Sequence, residues 1–329
     1  MVLSPPRRLV LTTASAERLR EELADVPGIR VIARYGLAQA RSDQELVHGL
    51  DGAWATVAGS ERYTRGVLQA TPELKAIFRF GTGSDAIDIA AATDAGVAVI
   101  TTPAVNAEAV ADLALALMLG CIRRLPERDA AVRTGAWRAG GPSRDLAGAT
   151  VGVVGLGAIG QVVTRRLRAF GCRVLALEPY PDRAFCARYE VELTDLDAML
   201  PQVDVLTLHA PLTDSSRRLI GARELSLLPR HAVVINTARG ELIDQPALAE
   251  ALRSGQIAAA GLDVFEREPV PPDDPILLAP NALLSGHVSS YTELGLSRMA
   301  DAVLANLREV LAGKVPASCL NPDAWAARG

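Results

Sequence analysis

The stretch VGVVGLGAIG, residues 151–160, constrains the fold more than any other part of the chain. A β-branched apolar run leads into Gly155-x-Gly157-x-x-Gly160, and QVVTRRLRAFG follows with helical spacing. A lone glycine triplet of this kind is weak. A strand before it and a helix after it make it a dinucleotide-binding turn. Gly155 permits the sharp turn, Gly157 lets phosphate approach the backbone, and Gly160 lets helix and strand pack closely. RVLALEPY then reads as a second strand ending in Glu178. An acid there accepts hydrogen bonds from an adenosine ribose and repels a 2′-phosphate, which favours NAD over NADP. The bland alternative is a strand–turn–helix without a ligand.

Around this turn the chain repeats one grammar. From residue 8, RLVLTT, SAERLREELADVPG, IRVIAR, SDQELVHGLDG and AWATVAG alternate strand-like and helix-like pieces, the signature of a parallel sheet. Ser15 and Ser42 read as helix N-caps, and Gly28 and Gly52 as helix stops. A strand over 74–80 ends in Gly81-Thr82-Gly83-Ser84, and VAVITTP over 97–103 closes the unit. A long Ala/Leu-rich helix is expected over 104–124 and a second helical piece up to Trp137. The loose GGPSRDLAG segment that follows reads as the domain crossing. The second unit then shows strands over 150–155 and 173–178, a short one near 191, and further strands over 204–211 and 231–237. IAAAGLDVF and ALLSGHV bring the total to six without the short piece. Asp244 is a plausible cap for DQPALAEALRSGQ. Tyr291 to Gly313 reads as a helix with nothing left to pair with.

Size and charge narrow the function. A chain of 329 residues with 49% hydrophobic content can bury two cores. The net charge of −4 is spread without long runs, so neither nucleic acid nor a membrane surface is an expected partner. The most apolar helix, AVADLALALMLGCI, is too short to span a bilayer. Cys121, Cys172, Cys186 and Cys319 show neither zinc spacing nor a disulfide pattern, so no metal is expected and a reducing cytoplasm is. Arg7 and Arg8 are followed at once by a strand and acidic residues, which disfavours a targeting peptide.

Three polar residues lie at or beyond the ends of second-unit strands: Arg239 after VVINTA, Glu268 after LDVFER and His287 after LLSG. Hydride transfer to a keto acid needs a guanidinium to hold carboxylate and carbonyl, and a proton donor that switches near neutral pH. Arginine and histidine supply these. Glu268 would fix the imidazole tautomer and favour its protonated form. Singly, each residue reads more readily as a solvated loop side chain than as a catalytic group. His209, ending LTLHAP, is expected to pack or to face the adenosine side. His48 and His231 read as structural or exposed.

GLGAIG, HAPLT, NTARG, GLDVFEREP and GHVSS, in that order, closely resemble the D-isomer-specific 2-hydroxyacid dehydrogenase family. RFGTGSDAID, GVAVITTP and AVADLALAL extend the resemblance over about residues 50–320. It implies two doubly wound α/β domains. A Rossmann NAD-binding domain, 104–288, is inserted in a discontinuous flavodoxin-like substrate domain, 1–103 and 289–329. It also implies that Arg239 binds the substrate's carboxylate and keto oxygen, that His287 is the acid/base, and that Glu268 is its partner. Thr82 and Gly83 would offer backbone N–H groups to the substrate. Asp263 would hold the nicotinamide carboxamide, and Ala158 and Ile159 would cover the pyrophosphate. Ala210, Pro211, Thr237 and Ala238 join His209 as expected cofactor contacts.

Within the family the pattern looks closest to D-3-phosphoglycerate dehydrogenase and to hydroxypyruvate or glyoxylate reductases. Ala58 stands where the phosphoglycerate branch often carries a phosphate-binding arginine, with Arg62 or Arg79 as possible substitutes. The regulatory extension of longer phosphoglycerate enzymes is not seen. The expectation is a cytoplasmic, homodimeric, NAD-dependent dehydrogenase interconverting a 2-keto acid and a D-2-hydroxy acid. The Ala/Leu-rich helix and the 126–140 arm resemble the family's dimer surface, and the same apolar stripe reads alternatively as interdomain core. One alternative is an NAD-binding regulatory or corepressor-like protein of the same fold. Another is formate dehydrogenase, which by resemblance pairs its histidine with glutamine rather than with a residue such as Glu268.

Overall fold

Strands buried on both faces need helices on both sides, and this sequence meets that need twice. The computed structural model describes residues 5–326 except 25, 41, 138 and 139. The chain divides into two units, one comprising residues up to Asn106 with those from Tyr291 onward, the other Ala107–Ser290.

In the first unit β1 (Arg7–Leu11), β2 (Ile29–Ala33), β3 (Ala55–Ala58), β4 (Ala76–Arg79) and β5 (Ala98–Ile100) form a parallel sheet in the order β2-β1-β3-β4-β5. This is flavodoxin-like order, and its direction reverses between β1 and β3. The helix Glu293–Leu311 belongs here and buries Met299, Val303, Leu304 and Leu307 in the core that holds Leu9, Phe78 and Ile100. Thr292 caps it, accepting from the Gly295 N–H at 3.0 Å. Ser42 caps Asp43–Gly49 as expected, but Ser15 caps nothing. Thr13 takes the capping role there, accepting the Ser15 N–H at 3.3 Å, because the chain enters through a short 3-10 turn.

Among the described residues the second unit has seven strands, the six counted and the short one expected near 191: β6 (Thr150–Val154), β7 (Arg173–Leu177), β8 (Val191–Leu193), β9 (Val205–Leu208), β10 (Val233–Asn236), β11 (Ala259–Leu262) and β12 (Ala282–Leu284). Their order is β12-β11-β10-β9-β6-β7-β8, all parallel, with reversal between β6 and β9. The difference is β8. It pairs through Val174↔Val191 and is a full edge strand despite its three residues.

The long helix is Ala107–Ile122, shorter at both ends than expected. Ala104 before it and Arg124 after it both take left-handed φ, 65° and 55°, which interrupts helical geometry. It packs against β10, β11, β12 and the helix Ala158–Ala169 in the second unit's core. The crossing therefore falls at Asn106–Ala107 and not at the GGPSRDLAG linker, whose loose composition marks an ordinary surface loop. The next helix is Leu125–Arg133, and Gly135, at φ 85°, follows its end. Part of the 126–140 arm, residues 138 and 139, lies outside the described residues. No helix among the described residues is long and apolar enough to cross a membrane.

Candidate active site

The glycine loop is built around close approaches that a Cβ would prevent. At Gly155, with φ 90°, a Cβ would stand 2.6 Å from the Ala210 nitrogen and 2.7 Å from the His209 carbonyl carbon. At Gly160 it would stand 2.1 Å from the Gly155 oxygen. At Gly157 it would meet nothing within 4 Å, so that glycine keeps a space open above the loop. Gly157 is also the N-cap of Ala158–Ala169 and supplies no side-chain cap, so the first-turn N–H groups around Ala158 and Ile159 stay available to an anion. The Glu178 carboxylate accepts from the Leu156 N–H at 2.8 Å and the Tyr180 N–H at 3.0 Å, which ties the end of β7 to the glycine loop.

Two buried polar atoms point to a further ligand. Among the described residues Thr237 Oγ1 and His209 Nδ1 have no hydrogen-bond partner, an expensive state in a finished interior. They follow β10 and β9, beside Ala238 and beside Ala210 and Pro211. Unmet polar atoms at strand ends, an open glycine and an uncapped helix together fit a dinucleotide.

His209 Nε2 lies 2.9 Å from Thr207 Oγ1, and burial pulls its imidazole pKa down to about 4. Unfolded, a histidine titrates near about 6.5. Between these values the unfolded chain binds the extra proton, so stability falls as pH drops through that window. Glu268, held below the usual carboxylate range, adds stability that is likewise lost on acidification through that range. The denaturant midpoint is expected to be lower at about pH 5 than at about pH 7, and less pH-dependent in His209→Gln. A midpoint as pH-dependent in the variant as in the parent would exclude His209 as the source.

Three loops at the carboxyl ends of β10, β11 and β12 carry Arg239, Glu268 and His287. His287 Nδ1 lies 2.7 Å from Glu268 Oε2, and Glu268 Oε1 accepts the Phe265 N–H at 3.1 Å. Burial alone would raise the Glu268 pKa. The hydrogen bond and charge of His287, the Phe265 N–H and the Arg239 guanidinium reverse this and keep the carboxylate ionised. Arg239 Nη1 donates to the Ala238 oxygen at 2.6 Å, which steadies the guanidinium. His287 sits at φ 54°, an uncommon conformation for a non-glycine residue, and its side chain is 42% exposed. Among the described residues its Nε2 has no hydrogen-bond partner, so an imidazole oriented through Nδ1 offers Nε2 outward.

Thr82 and Gly83 lie in the first unit, beyond β4. The Gly81 oxygen accepts the Thr102 N–H at 3.1 Å, and Thr82 Oγ1 reaches the Thr102 oxygen at 3.3 Å. Arg79 is paired in register with Ala58, and its Nη1 donates to the Phe80 oxygen at 2.8 Å and the Ala58 oxygen at 3.4 Å.

Sequence reasoning missed Asn236 and Gly240, which shape these loops, and named Asp263 only as a cofactor contact. Asn236 Nδ2 donates to the Arg239 oxygen at 2.8 Å, and its Oδ1 accepts the Ala238 N–H at 3.0 Å. Asparagine three residues before the arginine was a readable turn signal. Gly240 was not readable as more than a turn: a Cβ there would lie 1.9 Å from the Phe265 carbonyl carbon. Asp263 is fully buried, and its carboxylate accepts from Ser285 Oγ at 2.7 Å, the Val288 N–H at 2.9 Å and the Ser289 N–H at 2.8 Å.

A parallel sheet with this glycine loop at its reversal point, and a paired acid and imidazole beyond neighbouring strands, defines a nicotinamide-dinucleotide oxidoreductase. The family model described as "D-isomer specific 2-hydroxyacid dehydrogenase, NAD binding domain" matches residues 115–289. A glyoxylate reductase of Korarchaeum cryptofilum is 40% identical over 262 residues, covering 78% of this chain and 79% of that protein. A D-3-phosphoglycerate dehydrogenase of Methanocaldococcus jannaschii is 36% identical over 299 residues, which is 89% of this chain but 57% of that protein's length. The crystal structure of a glyoxylate reductase from Paecilomyes thermophila superposes with a TM-score of 0.83 at 30% identity, over 96% of this chain and 99% of that one. The chain belongs to the D-isomer specific 2-hydroxyacid dehydrogenase family. It is an NAD-dependent oxidoreductase that interconverts 2-keto and D-2-hydroxy acids.

Proposed function

We propose that Arg239, Glu268 and His287 carry the reaction and that its substrate is a small, unphosphorylated 2-keto acid such as glyoxylate or hydroxypyruvate. The observation that carries the residue assignment is the 2.7 Å contact between His287 Nδ1 and Glu268 Oε2, which leaves Nε2 for the substrate. When bound, the reduced nicotinamide supplies the hydride. His287 donates the proton to the carbonyl oxygen, and Glu268 holds the imidazole and balances its charge. Arg239 holds the substrate's carboxylate and carbonyl oxygen and counters charge growing on that oxygen. Thr82 and Gly83 present backbone N–H groups to the carboxylate. Gly155, Gly157, Ala158, Ile159 and Gly160 hold the pyrophosphate, Glu178 the adenosine ribose, and His209, Ala210, Pro211, Thr237, Ala238 and Asp263 the remainder of the cofactor.

The unphosphorylated substrate is supported by the glyoxylate reductase relative, which matches over most of its length. Ala58 lacks a cation, and the Arg79 beside it is committed to backbone carbonyls. An NADH oxidation screen over glyoxylate, hydroxypyruvate, pyruvate, 2-ketoglutarate and phosphohydroxypyruvate tests this. The first two are expected to give the highest kcat/KM, and a tenfold or greater preference for phosphohydroxypyruvate overturns the choice. With NADPH, kcat/KM is expected to fall, and Glu178→Gln to recover about tenfold of that loss by removing like-charge repulsion. An unchanged cofactor ratio in Glu178→Gln would contradict the role of Glu178.

A homodimer in a reducing cytoplasm completes the proposal. The helix Leu125–Arg133 buries no residue, and Leu125, Val132 and Trp137 stand exposed along this stretch, an apolar surface that suits a second copy. All four cysteines are free thiols, and burial pushes Cys121 up to about 12, which keeps it unreactive. Light scattering is expected to give twice the chain mass, and a monomer would remove the dimer.

A further inference from the structure

We infer that Asp263 and Asn236 are positioning residues, a buried brace that fixes His287 and Arg239 in one frame; this rests on the catalytic reading of those two residues. Asp263 immediately follows β11, between the loops that carry Arg239 and His287. Its N–H donates to the Asn236 oxygen at 2.9 Å, and its own carbonyl accepts the His287 N–H at 2.7 Å. Its carboxylate gathers Ser285 Oγ on one side of His287 and the N–H groups of Val288 and Ser289 on the other.

Four hydrogen bonds thus converge from one fully buried residue onto the five-residue segment 285–289. At its centre His287 is held at φ 54°, a conformation that persists only where the surroundings over-determine it. Free of that hold, His287 would relax toward negative φ and carry Nδ1 away from Glu268.

Asn236 does the matching work on the other loop. It is 1% exposed, and its side chain spans the turn by binding the Ala238 N–H and the Arg239 carbonyl, the backbone groups on either side of the Arg239 side chain. Gly240 then allows this turn to press on the Phe265 backbone, whose N–H holds Glu268. Residues 263–265 therefore touch the supports of all three reacting side chains. An aspartate suits this place because an ionised carboxylate accepts several strong hydrogen bonds and donates none. Asparagine would turn its NH2 group toward a donor.

Double-mutant cycles of Asp263→Asn with His287→Ala test the brace, read as kcat in single-turnover assays alongside NADH affinity by fluorescence. Asp263→Asn alone is expected to lower kcat about 10- to 100-fold at saturating NADH; because Asp263 is also a proposed cofactor contact, the binding control is Ser285→Ala, whose NADH Kd is expected to change by less than about threefold. In the His287→Ala background the same substitution is expected to have almost no further effect on kcat, because its target is already gone. Ser285→Ala, which removes one carboxylate contact, is expected to show a smaller loss of about tenfold with the same non-additivity. It serves as the test if Asp263→Asn does not fold. Asn236→Ala is expected to be non-additive with Arg239→Lys in the same way. Additive losses, or an NADH affinity loss in Ser285→Ala that accounts for the whole of its effect, overturn the brace. Wild-type turnover in His287→Ala overturns instead the catalytic reading beneath it, so the two failures are distinguishable.

Discussion

Replacing His287 by alanine is expected to lower kcat for 2-keto acid reduction by about 10³-fold, within the range of a lost general acid, while leaving NADH binding nearly intact. The split follows from geometry. The imidazole's hydrogen bond runs to Glu268 and the residue's backbone N–H to the Asp263 carbonyl, and neither partner belongs to the glycine loop. Glu268→Gln sharpens the test. His287, the Phe265 N–H and Arg239 hold the Glu268 carboxylate ionised, so glutamine removes its charge while still reaching Nδ1, and kcat is expected to fall about 10- to 100-fold. Activity equal to the parent in Glu268→Gln would mean that Glu268 acts by shape and not by charge. Steady-state kinetics, with NADH affinity measured separately, resolves the cases.

Arg239→Lys is expected to lower kcat/KM by about 10²–10³-fold, even though the charge is retained. A planar guanidinium donates to a carboxylate and an adjacent carbonyl oxygen at once, whereas an ammonium is a point charge on a flexible stem. The turn that carries Arg239 is rigid, with Asn236 bonded on both sides of it and Arg239 Nη1 returned to the Ala238 oxygen. A lysine would inherit the turn without the fork. The loss should fall mainly on kcat if the guanidinium acts on charge that develops at the carbonyl oxygen, and mainly on KM if it only holds the carboxylate. Activity within twofold of the parent would remove Arg239 from the reaction.

What was legible in the sequence was whatever local geometry dictates. VGVVGLGAIG read as strand, turn and helix because each glycine meets a need within a few residues, and Gly155 and Gly160 do sit where a Cβ would strike backbone. The strand alternation read correctly because buried parallel strands are continuous apolar runs. β8 was undervalued because three residues give no periodicity, and only its pairing with β7 makes it a strand. Composition placed the crossing at the 140–148 loop, which looks like a linker, and the resemblance placed it at 103/104; the chain divides at Asn106–Ala107, which has no compositional mark. Its signal is Ala104 in left-handed backbone, invisible in an alanine.

The site shows the same divide. Arg239, Glu268 and His287 stood out as polar residues beyond apolar strands, and the structure brings Glu268 and His287 into contact across nineteen residues of chain. Gly240 against Phe265, and Asp263 under residues 285–289, are contacts between separate loops, and no spacing rule reveals them. The three polar residues were therefore more legible in the sequence than the framework that holds them.

The most direct test is the reduction of hydroxypyruvate by the purified protein with NADH, followed by chiral analysis of the glycerate formed. Stoichiometric NADH consumption yielding D-glycerate alone is predicted. L-glycerate, or no NADH consumption by a protein that binds NADH, would contradict the account.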